Sequence, residues 1–222
     1  MSKNLETIAL INPNSNVKTT AMMLAIASPL SLGMPISGFT AQRAPQIITD
    51  AVTLDASVAE VVEIARSLQG FSAIIVAAFG DPGVDILRQT EVTPVIGIGG
   101  AAARRAARDG LPFAVATTTP QLAARIDQLM RSHNGKAAYI GSFITQGDAV
   151  MLMSQMQDLD DALLQQIDRA ARAGAKQIII GGGPLGEAAA RLNGRTALPL
   201  IHPIKEAVRE CVALLMAKRG AQ

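Results

Sequence analysis

Short apolar runs alternate with longer alanine-rich stretches along the whole chain. The apolar runs favour Ile, Val and Ala, which is typical of strands buried in a sheet, and the stretches between them repeat apolar residues at helical spacing. Within residues 57–69, Val58, Val61, Val62 and Ala65 fall on one side of a helix. The predicted strands are TIALIN (7–12), MPISGFT (34–40), SAIIVAA (72–78), TPVIGI (93–98), PFAVATT (112–118), KAAYIGS (136–142), QIIIGG (177–182) and LPLIH (198–202). The predicted helices cover 16–27, 57–69, a short segment after Gly83, 100–109, 120–132, 158–173, 185–192 and 203–218.

Strands that alternate with helices in this way predict βαβ units and therefore parallel sheets. The pattern also occurs twice with the same spacing. Asn14 follows the first strand and lies 64 residues before Ala78, and Thr118 lies 64 residues before Gly182. We therefore predict two similar α/β halves, residues 1–112 and 113–222, with the last helix of the first half free to cross over to the other half. A gene duplication explains the repeat, and the alternative is that the two halves match by chance in the spacing of their strands, turns and helices.

Composition narrows the class of protein. The chain has 222 residues with 49% apolar residues, and its 20 basic and 18 acidic residues are interspersed, without a basic stripe. Trp is absent and there is one Tyr, so the sequence does not predict a nucleic-acid surface. The apolar stretch AMMLAIASPLSLGMPI is too short and too interrupted to span a bilayer, and the N-terminus lacks the apolar core of a signal peptide. We expect a cytoplasmic protein that binds neither nucleic acid nor membrane.

Polar and glycine-rich segments follow several of the predicted strands. In parallel α/β sheets, ligands bind beyond the carboxyl ends of the strands, and free backbone N–H groups at turns that open helices suit a carboxylate or an imide oxygen. Each segment also has a simpler explanation as a turn or helix cap. Their shared position in both halves favours a small-molecule cleft between the halves. The expected substrate-binding residues are Asn14, Ser15, Ala78, Phe79, Gly80, Thr117, Thr119, Gly182, Gly183 and Pro184.

Four stretches together resemble the aspartate/glutamate/hydantoin racemase superfamily. They are INPNSN near the start, AAFGDPGVDILRQ followed by TPVIGIGGAA, FAVATTT, and IIIGGGPLGEAAARL, and they span almost the whole chain. The hydantoin racemase branch is the most similar. The resemblance implies two pseudo-symmetric subdomains, Rossmann-like or flavodoxin-like, with parallel sheets and an active site in the cleft between them. It also implies chemistry without a cofactor, and homo-oligomers.

The resemblance implies two catalytic thiols, one immediately before FGDPG and one in the second glycine turn, but this chain has Ala78 and Gly182 there. Stereoinversion needs a proton carrier on each face of the substrate, so a two-thiol racemase is disfavoured. The single cysteine, Cys211, excludes an intramolecular disulfide. It lies within the last predicted helix, where we expect it to be buried and inert.

Three other residues are the candidates for catalysis. His202 ends the last predicted strand, at the place of Gly97 in the first half, and can act as a general base because the pKa of histidine is ordinarily near 6.5. Asp81 is the carboxylate nearest to the missing first thiol, and Thr118 can orient a ligand or a water. A structural role for His202 is the alternative. The other histidine, His133, is expected to be exposed in a polar turn, and no metal site is predicted.

Three functions remain open from the sequence. The first is hydrolase or lyase chemistry with water on a small hydantoin-like or carboxylate-bearing ring, such as desulfurisation of a 2-thiohydantoin carboxylate or decarboxylation. The second is a racemase or isomerase with unusual acid and base residues, such as Asp81 opposite His202. The third is a binding protein without catalytic activity.

Overall fold

The computed structural model describes residues 6–220, which form two parallel four-stranded sheets with helices packed around them. The first half comprises β1 Ile8–Asn12, α1 Val17–Ala27, β2 Ile36–Thr40, α2 Ala51–Ser67, β3 Ala73–Val76, α3 Val84–Thr90, β4 Val95–Gly97 and α4 Ile98–Arg108. The second half comprises β5 Phe113–Thr117, α5 Ala123–His133, β6 Tyr139–Ile144, α6 Ala149–Ser154, α7 Met156–Arg172, β7 Gln177–Ile180, α8 Gly186–Leu192, β8 Leu200–Ile201 and α9 Pro203–Gly220. Three short 3₁₀ turns cover Ser28–Leu30, Pro120–Leu122 and Gly183–Leu185.

The two sheets have the same topology. Their strand orders are β2-β1-β3-β4 and β6-β5-β7-β8, so each half places its first and third strands at the centre. All of the strand pairs are parallel, which confirms the predicted α/β class. The four residues of β3 are all buried, as its uninterrupted apolar run predicts. The central strands end level with one another, because Ala77 N–H donates to the carbonyl of Ile11 at 2.8 Å and Gly181 N–H donates to that of Ala116 at 2.9 Å.

The last helix of each half packs against the other half. Helix α9 contributes Ile204, Val208 and Cys211 to a core that also contains residues of β1, β3 and β4. Helix α4 contributes Ala102, Ala103 and Ala106 to a core built on β5, β7 and α5. This exchange ties the halves together through buried apolar surface. The boundary between residues 112 and 113 stays a prediction.

Cys211 is fully buried in the core that α9 completes. Burial raises the pKa of its thiol to about 12, with smaller contributions in the same direction from Glu210 and Glu6. A thiol with such a pKa is protonated at neutral pH and is a poor nucleophile, as expected from its place in the sequence.

Two helical segments differ from the prediction. Helix α2 begins at Ala51 rather than near residue 57, because the Asp50 carboxylate caps it by accepting from Thr53 N–H at 2.8 Å. Helix α6 was not predicted, since its six residues are too few to show a helical period. Asp148 caps it in the same way, by accepting from Met151 N–H.

Candidate functional site

A cavity lies where the carboxyl ends of the two sheets face each other. Its atom-free volume is about 550 Å³ when the solvent at its mouth is included. Its polar wall comes from the segments that follow the four inner strands, β1, β3, β5 and β7. Apolar residues that follow the edge strands β2 and β6 or belong to α5 and its 3₁₀ turn close the rest. The lining residues are Asn14, Ile47, Ile48, Leu54, Ala77–Phe79, Thr117–Thr119, Leu122, Ile126, Met153 and Gly181–Leu185.

The structure therefore brings together nine of the expected residues: Asn14, Ala78, Phe79, Thr117, Thr118, Thr119, Gly182, Gly183 and Pro184. Four others are not among the lining residues: Ser15, Gly80, Asp81 and His202. Ser15 N–H donates to the carbonyl of Pro45 at 3.1 Å. Gly80 has a φ of +151°, and a Cβ there would come within 2.7 Å of the Leu54 side chain. Gly80 thus shapes the turn that carries Phe79, without lining the cavity itself.

Three asparagines after β1 form a connected network. Asn12 is completely buried, and the two hydrogens of its Nδ2 are shared among three acceptors: Asn14 Oδ1 at 2.9 Å, the Asn16 carbonyl at 3.1 Å and Thr20 Oγ1 at 3.0 Å. Asn12 Oδ1 accepts from Asn14 N–H, and Asn14 Oδ1 accepts from Asn16 N–H. Asn16 in turn caps α1 by accepting from the N–H groups of Lys18 and Thr19. Sequence reasoning missed Asn12, although its position at the end of an inner strand was the available signal.

The glycine turn after β7 lies directly against the turn after β3. A Cβ on Gly181 would come within 2.8 Å of the Phe79 ring, and one on Gly183 would come within 2.9 Å of the Ala77 carbonyl oxygen. Thr117 Oγ1 donates to the carbonyl of Gly181 at 2.8 Å and fixes this turn to β5. The glycines are therefore needed for the close approach of two backbones across the cavity.

Several backbone N–H groups around the cavity have no protein acceptor within residues 6–220. They belong to Ala78, Phe79, Thr118, Thr119, Gly182 and Gly183. Free N–H groups of this kind can hold a carboxylate or another oxygen with developing negative charge. Donors come from both halves, so a ligand can be contacted from two sides.

The expectation that Asp81 faces the cavity is wrong. Its carboxylate caps α4 instead, accepting from Gly99 N–H at 2.7 Å and from Gly100 N–H at 2.6 Å. A Cβ on Gly97 would lie 2.1 Å from the Asp81 carboxyl carbon, which explains the glycines of the IGIGG segment. Burial raises the pKa of Asp81 to about 6, against the opposing effects of the two N–H bonds and of Arg104 and Arg88. Asp81 therefore anchors the turn that carries Phe79 to α4.

His202 likewise lies outside the cavity, contrary to expectation. It follows β8, an edge strand, and its Nε2 donates to the carbonyl of Gly186 at 2.9 Å. Its Nδ1 is buried without a hydrogen-bond partner in the part of the chain that the structure describes. Burial, followed by Lys205, lowers the pKa of His202 to about 4, so the ring is neutral at neutral pH. Its position supports the structural alternative rather than a role as the base of the cleft.

His133 is half-buried rather than exposed. Its Nδ1 lies 2.8 Å from Ser132 Oγ and 3.2 Å from the carbonyl of Leu129. Burial is the main cause of its lowered pKa, and Arg104 and Arg88 act in the same direction. His133 belongs to the surroundings of Asp81 at the start of α4, not to the cavity.

Among the residues that the structure describes, no side chain that lines the cavity is acidic, basic, a thiol, a phenol or an imidazole. The polar side chains are those of Asn14 and the three threonines, and Thr118 is almost completely buried. Within residues 6–220, no three His, Cys, Asp or Glu side chains are grouped so that they could hold a metal ion. Among the helices of the same residues, none is both long and apolar enough to cross a membrane.

Comparison with known proteins gives the family context. The family model described as Asp/Glu/Hydantoin racemase matches residues 8–211. A hydantoin racemase of Rhizobium meliloti is 29% identical over 216 residues, covering 95% of this chain and 89% of that protein.

Solved structures share the fold. The structure of an allantoin racemase from Klebsiella pneumoniae superimposes with a TM-score of 0.87 at 23% identity, covering 96% of this chain and 89% of that one. An arylmalonate decarboxylase structure gives a TM-score of 0.64 at 17% identity, covering 94% and 92%. At these identities the two structures establish the architecture of two facing α/β halves.

Proposed function

Because this chain belongs to the Asp/Glu/hydantoin racemase family, we propose that its cavity binds a small hydantoin-like or carboxylate-bearing ring compound. We further propose that the protein is a cofactor-free lyase that removes carbon dioxide from that compound. The observation that carries this proposal is a cavity with many hydrogen-bond donors and no titratable side chain.

The absence of a titratable side chain at the cavity separates the candidate reactions. Racemisation needs a proton carrier on each face of the substrate, and Ala78 and Gly182 carry none. Hydrolysis of a ring substituent, such as the sulfur of a 2-thiohydantoin, needs a base to activate water. The two expected bases, Asp81 and His202, lie outside the cavity. Decarboxylation needs no base in its bond-breaking step, so it makes the least demand on this site.

The cavity walls suit that step. The bond between the ring carbon and the carboxylate breaks, carbon dioxide leaves, and the electron pair stays on the ring carbon as an enolate. In this proposal the enolate oxygen is stabilised by the N–H groups of Phe79, Thr118 and Gly183, which line the cavity and have no acceptor within residues 6–220. Apolar side chains, including those of Ile48 and Met153, line the remaining wall, where a carboxylate is poorly solvated and its loss is favoured. Water then supplies the proton to carbon, oriented in this proposal by the Thr118 hydroxyl.

A racemase or isomerase is the second candidate, because a relative that covers 95% of this chain is named a hydantoin racemase. Water or Thr118 would then have to carry the protons that the family resemblance assigns to two catalytic thiols. A binding protein without turnover is the third. We also propose that the protein forms a homo-oligomer, as the family resemblance implies, and that it is cytoplasmic.

Proton NMR in D₂O separates the three. The purified protein is incubated with hydantoins, 2-thiohydantoins and ring compounds that carry a carboxylate on the reacting carbon. Release of carbon dioxide with deuterium on the product carbon supports the lyase. Loss of the ring C–H signal without a new product establishes the isomerase, and a desulfurised product establishes the hydrolase. Binding without any of these changes establishes the binding protein.

Matched threonine variants test the part assigned to the cavity. Thr118→Val removes the Thr118 hydroxyl from the cavity wall. Turnover should fall, since the water that supplies the proton loses its hydrogen-bond partner. Thr145→Val is the control, because Thr145 is also buried, directly after the edge strand β6, but is not among the lining residues. Equal turnover in Thr118→Val and wild type would contradict a role for that hydroxyl.

A further inference from the structure

The amide of Asn14 meets the cavity in one fixed orientation. Its Oδ1 accepts two hydrogen bonds, from Asn16 N–H at 3.0 Å and from Asn12 Nδ2 at 2.9 Å. Its Nδ2 has no acceptor within residues 6–220, and yet it is not one of the polar atoms sealed from solvent. Since Asn14 lines the cavity, the nitrogen is the end of the amide that is open to a ligand.

The orientation of Asn12 is itself determined by the backbone. Its Oδ1 accepts from Asn14 N–H at 3.2 Å, and a backbone N–H requires an acceptor opposite it. The Nδ2 of Asn12 must then face Asn14 Oδ1, the Asn16 carbonyl and Thr20 Oγ1, all of which can accept. Asn12 is fully buried and cannot exchange these partners for water. Both polar atoms of the Asn12 amide are paired, so any rotation of it leaves a buried polar group unpaired, and the amide is held in one orientation.

We propose that Asn12 is a positioning residue that holds the Asn14 amide with its Nδ2 donor toward the cavity, so that the site selects ligands with an oxygen acceptor at that point. The proposal rests on the function proposed above, in that the cavity is taken as the substrate site. It adds to that function that the Asn14 amide acts as a hydrogen-bond donor, not an acceptor, toward the ligand. The shared ligand chemistry is an oxygen acceptor, which is either a carboxylate oxygen or a ring carbonyl oxygen.

Two isosteric variants reverse that polarity in different ways. Asn14→Asp keeps both acceptor bonds of the side chain but replaces the cavity-facing donor by an oxygen. Asn12→Asp removes one of the two donors that hold Asn14 Oδ1 and puts a carboxylate oxygen opposite it. The Asn14 amide should then turn over, because the bond that its Nδ2 donates to the carboxylate is charge-assisted and outweighs the lost bond from Asn16 N–H to Asn14 Oδ1. Thr20→Val is the matched control, because it removes another partner of Asn12 Nδ2 in the same buried network without touching Asn14.

The first measurement needs no ligand. In ¹H–¹⁵N spectra, the side-chain amide pair of Asn14 is the pair lost in Asn14→Asp. We expect this pair to exchange rapidly with solvent in wild type and in Thr20→Val, because its nitrogen is unbonded. In Asn12→Asp it should shift and exchange more slowly, because it then donates to the new carboxylate. A protected pair in wild type, or an unmoved pair in Asn12→Asp, would overturn the proposal.

The second measurement uses malonate as the carboxylate probe and hydantoin as the ring-carbonyl probe. Asn14→Asp should weaken binding of the matching probe about tenfold or more, since one hydrogen bond is lost and two acceptors are opposed. A loss confined to malonate assigns the contact to a carboxylate, and a loss confined to hydantoin assigns it to a ring carbonyl. Undiminished binding of both probes to Asn14→Asp refutes the proposal, even if Asn12→Asp does not fold. If wild type binds neither probe, the proposed function loses support, while the amide spectrum still decides the orientation.

Discussion

Replacing Asp81 by asparagine tests whether burial or hydrogen bonding dominates at the start of α4. Asparagine has nearly the same shape and tolerates the positive φ of +50° at this position, so the substitution removes mainly the charge. The Asp81 carboxylate accepts two short backbone hydrogen bonds, which favour ionisation. Desolvation is the larger effect, because the pKa is raised and not lowered.

The size of the effect on stability follows from the pKa values of Asp81 in the unfolded and folded protein. The rise from 3.8 to about 6 means that the folded protein holds a proton on Asp81 more tightly than the unfolded chain does. The stabilisation by Asp81 is therefore complete below about pH 4 and is lost as the pH rises through about 6. The difference corresponds to at most about 3 kcal/mol, and less in practice because the half-buried side chain is partly solvated.

The assay is urea unfolding of wild type and Asp81→Asn at several pH values between about 4 and 7.5. The free energy of unfolding of wild type relative to the variant should fall as the pH rises across this range. Burial also lowers the pKa values of His133 and His202, but both residues are present in the two proteins, so the comparison removes most of their effect. A difference that does not change with pH, or that rises with it, would refute the conclusion that desolvation dominates.

Three further predictions concern other parts of the molecule. His202→Asn should leave ligand binding unchanged, and reduced affinity in calorimetry would contradict the position of His202 outside the cavity. The variant should also lose less stability than wild type as the pH falls from about 6.5 to 4, because the lowered pKa of His202 disfavours folding only when the ring must take up a proton. Ala78→Cys combined with Gly182→Cys should introduce exchange of the substrate C–H with D₂O, which neither single variant should show to the same degree by NMR; the Gly182 change also carries backbone strain at a φ of +145°. Arg191→Met should lower the free energy of unfolding by about 3–5 kcal/mol in urea, because it leaves the buried Asp160 carboxylate without its two-bond partner; a change below about 1 kcal/mol would show that Arg195 replaces it.

The fold and most of the polar cavity wall could be predicted from the sequence. Apolar runs separated by helical periods specify parallel βαβ units, and the order of strands along the chain places certain residues at carboxyl ends. Asn14, Phe79, Thr118 and Gly183 were found in this way. They follow the inner strands of the two sheets, and the carboxyl ends of these strands lie at the cleft.

The directions of Asp81 and His202 could not be predicted in this way. Asp81 turns away because the N-terminus of α4, 18 residues further along the chain, offers it two N–H groups. His202 follows the edge strand β8 and does not line the cavity, and its ring donates to the carbonyl of Gly186 instead. Both outcomes depend on which helix packs beside the residue, and sequence periodicity carries no information about that.

The sequence by itself therefore determined the class of fold, the twofold repeat and the strand ends that carry polar groups, because these depend on local periodicity and chain order. Only the tertiary structure decided that α4 and α9 exchange between the halves, that Asp81 caps a helix, and that the cavity contains donors but no titratable side chain. The physical reason is that an unpaired buried polar group costs free energy, so each such side chain turns toward the partner that three-dimensional packing supplies.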